Sequence, residues 1–238
     1  MPLALVLSAA GMFGAWEVGV WRVLRERFQP DLIVGASAGA LNGWAIAGGC
    51  SFEELANEWM DPLTAQAMQV GMHSARTRMP AALYAKAREL FERYHPRVPF
   101  GLVVVELPRL RARLVRDGEI TWRHLAATCS VPMIFPPVDI EGKRYVDGGV
   151  LAALPLYAAE QMGATRAVAV NALTTLPFRL QRRVLRPCRP TAALEVIRIE
   201  PSTRLGSLLD FARWSRGNVE RWIEQGERDA RLLTSITM

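Results

Sequence analysis

Ser37 stands at the centre of Gly35-Ala36-Ser37-Ala38-Gly39, between an apolar run and a small-residue segment of helical character. A G-x-S-x-G motif between a strand and a helix is the context of a nucleophile elbow. The serine sits on a sharp, strained turn that lifts its hydroxyl above the sheet, and the flanking glycines, Gly35 and Gly39, give the turn room. The helix N-terminus behind Ser37 adds positive potential where an oxyanion would develop. The chemistry this allows is attack of a hydroxyl on an acyl carbonyl. The pentapeptide also arises by chance in small-residue loops, so its meaning rests on the strand before it and the helix after it.

A serine hydroxyl needs a base. The histidines are His73, His95 and His124. A serine–acid–histidine chain order requires a histidine after the acid, and none follows His124. A triad using Asp61 or Asp117 stays open, but surface or packing roles are the expectation for all three histidines. Asp147 is the better base. It ends the segment Tyr145-Val146 and precedes Gly148 and Gly149. An acid at a strand end faces the crevice where α/β sheets bind ligands, and partial burial raises its pKa toward that of an effective proton acceptor. Asp-Gly is equally a common turn dipeptide, so Asp147 gains its meaning from Ser37.

The third element is Ser8-Ala9-Ala10-Gly11-Met12-Phe13-Gly14, a loop after one apolar run that opens onto a helix. Its backbone N–H groups make an anion site, which in an acyl hydrolase is the oxyanion hole. A dinucleotide loop would require Gly where Ala9 stands, and no Walker lysine follows.

These residues need a scaffold. Leu3–Leu7 and Leu32–Val34 read as buried strands, Ala15–Arg27 and Ala38–Ala47 as helices. On the first helix Trp16, Val20, Val23 and Leu24 share a face, and Gly19 allows close packing. The alternation implies parallel strands joined by right-handed crossovers. Residues 51–99 read as mostly helical, with helices near Phe52–Met60 and Ala81–Tyr94 and a loop over Gly71–Pro80; this block is a plausible cap beside the site. Further strands are expected at Leu102–Glu106, Arg111–Arg116, Val138–Ile140, Arg144–Val146, Ala167–Val170 and Glu195–Ile199. The pair flanking Glu141-Gly142 forms a hairpin. Helices are expected from Thr121 through Cys129, over Leu154–Met162 with Pro155 near its start, and over Leu208–Leu233 as one amphipathic element.

Composition sets the limits. The chain has 238 residues, 50% hydrophobic and 22% charged, which fits one large domain with a large core. Leu32–Phe52 is uncharged and long enough to span a bilayer, but its glycines favour a buried strand, turn and helix. Pro2–Trp16 lacks the basic start of a secretory signal. Cys50, Cys129 and Cys188 have neither disulfide nor zinc spacing, so a reducing cytoplasm is expected and no metal or organic cofactor is indicated. The net charge is +6. Arg179, Arg182, Arg183, Arg186 and Arg189 form a patch with no acid between Asn171 and Leu194. Such a patch can hold the protein peripherally at an anionic membrane surface, although a solvated loop reads the same way. No nucleic-acid-binding motif is recognisable, and oligomeric state is not legible.

Taken in order, Leu7–Ala15, Gly35–Gly39, the run Ser130-Val131-Pro132-Met133-Ile134-Phe135-Pro136-Pro137, and Asp147-Gly148-Gly149 resemble the patatin-like phospholipase family from about Leu3 to Asn171, with a fainter echo at Asn218–Leu232. The resemblance implies a three-layer α/β/α sandwich with a mainly parallel central sheet. It also implies a Ser–Asp dyad without histidine, and hydrolysis of lipid acyl esters. Ser37 matches the family nucleophile, Asp147 the base, and Ala10, Gly11 and Met12 fall in its oxyanion loop. Three positions depart from the pattern. Ala9-Ala10-Gly11 replaces a triple glycine, Phe13 replaces a basic residue, and Ala153 stands where an asparagine is common. Alanine would be strained if those glycines need positive φ. The alternative expectations are therefore a catalytically weak or inactive lipid-binding or scaffold protein of the same fold and, further off, a nucleotide-binding protein.

Overall fold

The computed structural model describes residues 1–67, 75–174, 188, 190 and 194–237, with the backbone alone at 75–79 and 233–237. The apolar runs form the middle of an eight-stranded sheet in the order β5-β6-β3-β2-β1-β7-β8, with β4 paired to β3. The strands are β1 Leu3–Leu7, β2 Leu32–Ala36, β3 Phe100–Leu107, β4 Arg111–Arg116, β5 Val138–Ile140, β6 Lys143–Asp147, β7 Arg166–Val170 and β8 Glu195–Ile199. From β8 through β7, β1 and β2 to β3 every pairing is parallel. β4 and β6 run antiparallel to β3. β1 and β2 are buried almost throughout, as central parallel strands covered on both faces must be.

The helices are α1 Gly14–Leu24, α2 Ala38–Ala47, α3 Phe52–Met60, α4 Pro62–Ala67, α5 Ala75–Arg93, α6 Trp122–Thr128, α7 Gly149–Ala152, α8 Leu156–Gln161, α9 Leu208–Ala212 and α10 Arg216–Thr237. The alternating side chains of β1 and β2 separate two cores. Leu5, Leu7 and Ile33 pack with α1, α2, α3, α5, α6 and α10. Ala4, Val6, Leu32 and Val34 pack with α7 and α8 on the other face. This is the three-layer α/β/α architecture. Gly19 is where α1 meets α10: a Cβ there would lie 1.9 Å from the Ile223 carbonyl oxygen. Trp16 completes that contact by donating from Nε1 to Asp229 Oδ2 at 2.8 Å. Among the described residues no helix is long and apolar enough to cross a membrane.

Three elements differ from the sequence reading. The expected single helix over Leu208–Leu233 is two, because Arg213 is extended and Ser215 caps a new helix, its Oγ accepting from the Asn218 amide at 3.2 Å. The expected loop Gly71–Pro80 is helical from Ala75. Pro80 lies in the second turn of α5, where its missing N–H removes a single helical hydrogen bond. The helix expected from Leu154 begins after Pro155, whose φ of −82° and ψ of 52° place it outside the helix. The five patch arginines, Arg179 to Arg189, and His73 lie outside the described residues.

Candidate active site

The site sits at a splice in the sheet. One edge of β3 pairs with β4 over Gly101–Glu106. The other edge is shared: β2 occupies it up to Ala36, opposite Val103, and β6 takes over with Asp147 opposite Val104. β2 runs parallel to β3 and β6 antiparallel, so the two strands converge with their C-terminal ends facing. Ser37 and Asp147 are the residues at that meeting point.

Ser37 has φ 53° and ψ −131°, a conformation that a residue with a Cβ rarely adopts, and α2 starts directly behind it. Its Oγ donates to Asp147 Oδ2 at 2.7 Å. Both side chains are buried, 6% and 4% exposed, so this hydrogen bond competes with little water. Asp147 is fixed by two further contacts. Its amide donates to the Ser130 carbonyl at 3.0 Å, and its Oδ1 accepts from the Gly149 amide at 2.6 Å. Burial is the main influence on the carboxyl and pushes its pKa up to about 7, against the hydrogen bonds from Ser37 and Gly149. Gly148 must lack a side chain, because a Cβ there would lie 2.1 Å from the Val103 carbonyl oxygen.

The loop after β1 reaches the same place. Gly11 opens a short 3-10 turn that runs into α1, and the first amides of such a segment, from Ala10 to Met12, have no intrahelical acceptor. Gly11 and Ser37 line one cavity. Ala10 has φ −141°, so alanine is unstrained there, while Gly11 has φ 52° and lies against Phe211, which leaves no space for a Cβ. Of the residues in the Ala9-Ala10-Gly11 departure, the one that requires glycine is therefore the one that has it. Phe13 is buried edge-on against Phe211 and Trp222, with ring centroids 5.7 and 5.2 Å away. The remaining motif glycines are contact points. Gly14 meets Trp59, Gly35 meets Gly39, Gly39 meets Ser8, and Gly149 meets Ala9.

The cavity runs from Ser37 along one face of α2, past Ala38, Leu41, Asn42 and Ala45, and is walled by Leu55, Trp59, Leu83, Leu90, Val131 and Phe135. The block expected as a cap supplies much of this wall through α3 and α5. Lys86 and Glu58 are its charged members. Glu58, Asp61 and Glu89 converge closely enough to suggest a cation site. The ammonium of Lys86 bridges them, bonded to Glu58 and, at 2.6 Å, to Asp61. Burial pulls this ammonium's pKa down, and the surrounding carboxylates more than reverse it.

Among the described residues the open triads are not assembled. Asp61 is held by Lys86, and Asp117 Oδ1 accepts from the Phe100 amide at 2.7 Å, at the far end of β3. His95 is exposed. His124 Nδ1 accepts from the Thr121 amide at 3.2 Å and so caps α6.

Three supporting residues were not read from the sequence. Thr128 Oγ1 donates to the Val103 carbonyl at 2.7 Å and accepts from the Ser37 amide at 2.9 Å, tying the splice together. Glu17, fully buried on α1, accepts from Ser8 Oγ at 3.1 Å and from Asn42 Nδ2 at 3.0 Å. Asn42 in turn accepts from Trp59 Nε1 at 2.9 Å. The loop after β1, α1, α2 and α3 are thereby joined. Burial lifts the Glu17 carboxyl to about 8 despite these hydrogen bonds. A signal for Glu17 was present: it is the lone charged residue between Pro2 and Trp21. A helix apolar all round is a buried one, so its acid is buried too.

The class the fold defines is an α/β protein with a mainly parallel sheet, which brings a strained serine and a buried aspartate together across one strand splice. The sequence model of the Patatin-like phospholipase family matches residues 5–160, and the chain belongs to that family. It is similar to patatin-like phospholipase domain-containing protein 7 of Rattus norvegicus, 26% identical over an alignment of 189 residues that covers 71% of this chain and 13% of that one. An NTE family protein of Mycobacterium tuberculosis is 27% identical over 181 residues, 71% of this chain and 48% of the other. The chain thus spans about an eighth of the mammalian relative and about half of the mycobacterial one. Among solved structures, VipD from Legionella pneumophila shares the fold with a TM-score of 0.58 and 13% identity, covering 98% of this chain and 67% of that chain.

Proposed function

We propose that this chain is a serine-dependent lipid acyl hydrolase of the phospholipase A, lysophospholipase or esterase type. The observation that carries the reading is the 2.7 Å hydrogen bond from Ser37 Oγ to a buried Asp147 carboxylate. Asp147 takes the Ser37 proton as Oγ attacks the ester carbonyl carbon, and amides of the Ala10–Met12 loop face the developing oxyanion. The protonated Asp147 then gives its proton to the departing alcohol. Water hydrolyses the acyl-Ser37 ester by the same exchange in reverse, with Asp147 as base. The apolar walls along α2 suit the acyl chain, and the name of the family supports a lipid substrate.

The test is hydrolysis of p-nitrophenyl esters by the wild type, Ser37→Ala and Asp147→Asn, together with labelling by a fluorophosphonate. Loss of turnover in both variants, and labelling that vanishes with Ser37, is the expected result. Turnover that survives in either variant rejects the dyad. A wild type that neither turns over nor labels leaves a non-catalytic binding protein of this fold.

A further inference from the structure

Seven large hydrophobic side chains stand exposed among the described residues, and three of them lie beside residues that line the Ser37 cavity. Met133 is fully exposed, Leu209 78% and Leu208 54%. Each belongs to a segment that also lines the cavity. Val131, Ile134 and Phe135 face inward on either side of Met133, and Phe211 and Ala212 face inward on α9 next to Leu208 and Leu209. The backbone at Met133 has φ 70°, a conformation that costs free energy and gives no packing in return, since the side chain meets only solvent. α9 is also flanked by exposed Arg204 and Arg213, neither of which has a carboxylate partner among the described residues.

We propose that Met133, Leu208 and Leu209 form an apolar rim that inserts into a lipid surface, with Arg204 and Arg213 against anionic headgroups, so that the cavity mouth sits flush with the layer. The occupant follows from continuity. The rim and the inner wall are opposite faces of the same two segments, so an acyl chain leaving the layer would pass from apolar lipid to apolar cavity with little exposure to water. Apolar side chains flanked by cations are the combination that holds a protein in an interfacial plane.

The experiment is flotation of the full chain with phosphatidylcholine vesicles and with vesicles containing phosphatidylglycerol, for the wild type, Met133→Asp, Leu209→Asp and the double variant. The wild type is expected to float with both and more strongly with the anionic vesicles, and the double variant to bind ~tenfold more weakly or worse. Replacing Arg204 and Arg213 with Gln should erase the preference for anionic vesicles. Neither Met133 nor Leu209 lines the cavity, so hydrolysis of a short soluble ester should stay within about twofold of wild type, and an unchanged melting temperature shows that the variants fold. Equal vesicle binding by wild type and double variant overturns the proposal. So does a concentration-dependent dimer that Leu209→Asp abolishes without any vesicle binding, which would make the rim a self-association face. Vesicle binding is read without turnover, so a wild type that floats but does not hydrolyse leaves the rim standing and removes the hydrolase reading instead.

Discussion

Ser37 and Asp147 lie 110 positions apart in the chain but meet over neighbouring residues of β3, because Ala36, just before Ser37, faces Val103 and Asp147 faces Val104. Side chains along a strand alternate between faces, so a slip of one residue in either pairing would turn a partner away. Their hydrogen bond therefore depends on two independent registers and on whatever joins them. Thr128 is that joint, since its hydroxyl contacts both the Val103 carbonyl and the Ser37 amide.

Thr128→Val should accordingly be costly for its size. It keeps the shape but strands a buried carbonyl and a buried amide, for about 2 kcal/mol or more of stability. It also frees the turn that aims Ser37. We expect kcat to fall at least tenfold with KM little changed, and Thr128→Ser to restore most of it. Kinetics of the two variants beside their urea midpoints check this. A loss in the Ser variant with the Val variant near wild type would mean that the methyl group, not the hydroxyl, matters.

The turn at Ser37 should also appear as stored strain. With φ at 53°, any residue bearing a Cβ is unfavourable there. Ser37→Ala and Ser37→Gly both lose the hydrogen bond to Asp147, and they differ chiefly in that Cβ. The glycine variant should be the more stable by about 1 kcal/mol, or roughly 2–4 °C in melting temperature for a chain of this size. Thermal unfolding of the pair decides it; an alanine variant at least as stable as glycine would show that the turn is relaxed.

In the proposed mechanism Asp147 can take a proton only when it is ionised. Burial lifts its pKa from 3.8 to about 7. kcat/KM, which reports the free enzyme, should therefore rise with pH, bend near pH 7 and then level off. Asp147→Asn should remove this limb and lower kcat by roughly 100- to 10,000-fold. A limb that persists in the Asn variant belongs to another group.

The local parts of this arrangement were legible in the sequence because local rules make them. The elbow at Ser37, the apolar runs of β1 and β2, the hairpin at Glu141-Gly142 and the strand-end position of Asp147 all follow from neighbours within a few residues. The splice on β3 was not legible. It needs Phe100–Leu107 to pair with three other strands, and no local pattern encodes which partner takes which half of an edge. Thr128 was missed for the same reason, because its role exists only once that splice has formed. The break between α9 and α10 was visible in principle. Ser215 followed by Asn218 is a capping spacing inside an amphipathic stretch, and the continuous apolar face over Leu208–Leu233 hid it.

Glu17 gives a stability prediction with a definite sign. Its pKa is about 8 when folded against 4.5 as a free side chain. Between those values the unfolded chain has lost the proton and the folded chain keeps it. The contribution to stability is therefore full below about pH 4.5 and is lost as pH rises through about 8. Glu17→Gln retains the polar contacts to Ser8 and Asn42 and removes the titration. The variant should show a flatter stability profile from pH 5 to 8 and exceed wild type at pH 8 by on the order of a few kcal/mol. Asp147 acts in the same direction up to about pH 7, so some slope remains. Urea titrations at three pH values measure the difference, and parallel profiles would place the ionised form of Glu17 in the folded protein.

The cavity sets a length scale for the acyl group. From Ser37 to Ala45 along α2 is ~12 Å, the rise of eight helical residues. Lys86 and Glu58 line the same cavity, and because both spend their charge on partners, an alkyl end gains nothing by displacing them. Ester hydrolysis should rise with chain length as methylenes fill the apolar wall, each contributing about 0.8 kcal/mol at most, and stop rising at on the order of ten carbons. Ala45→Leu adds bulk at this depth. It should lower turnover of the long esters several-fold and leave the acetate ester near wild type, with a modest loss of stability from overpacking. Leu90→Ala should do the reverse, admitting longer chains at the usual expense of a cavity. A chain-length profile that is the same in all three proteins would mean that the acyl group leaves Ser37 in another direction.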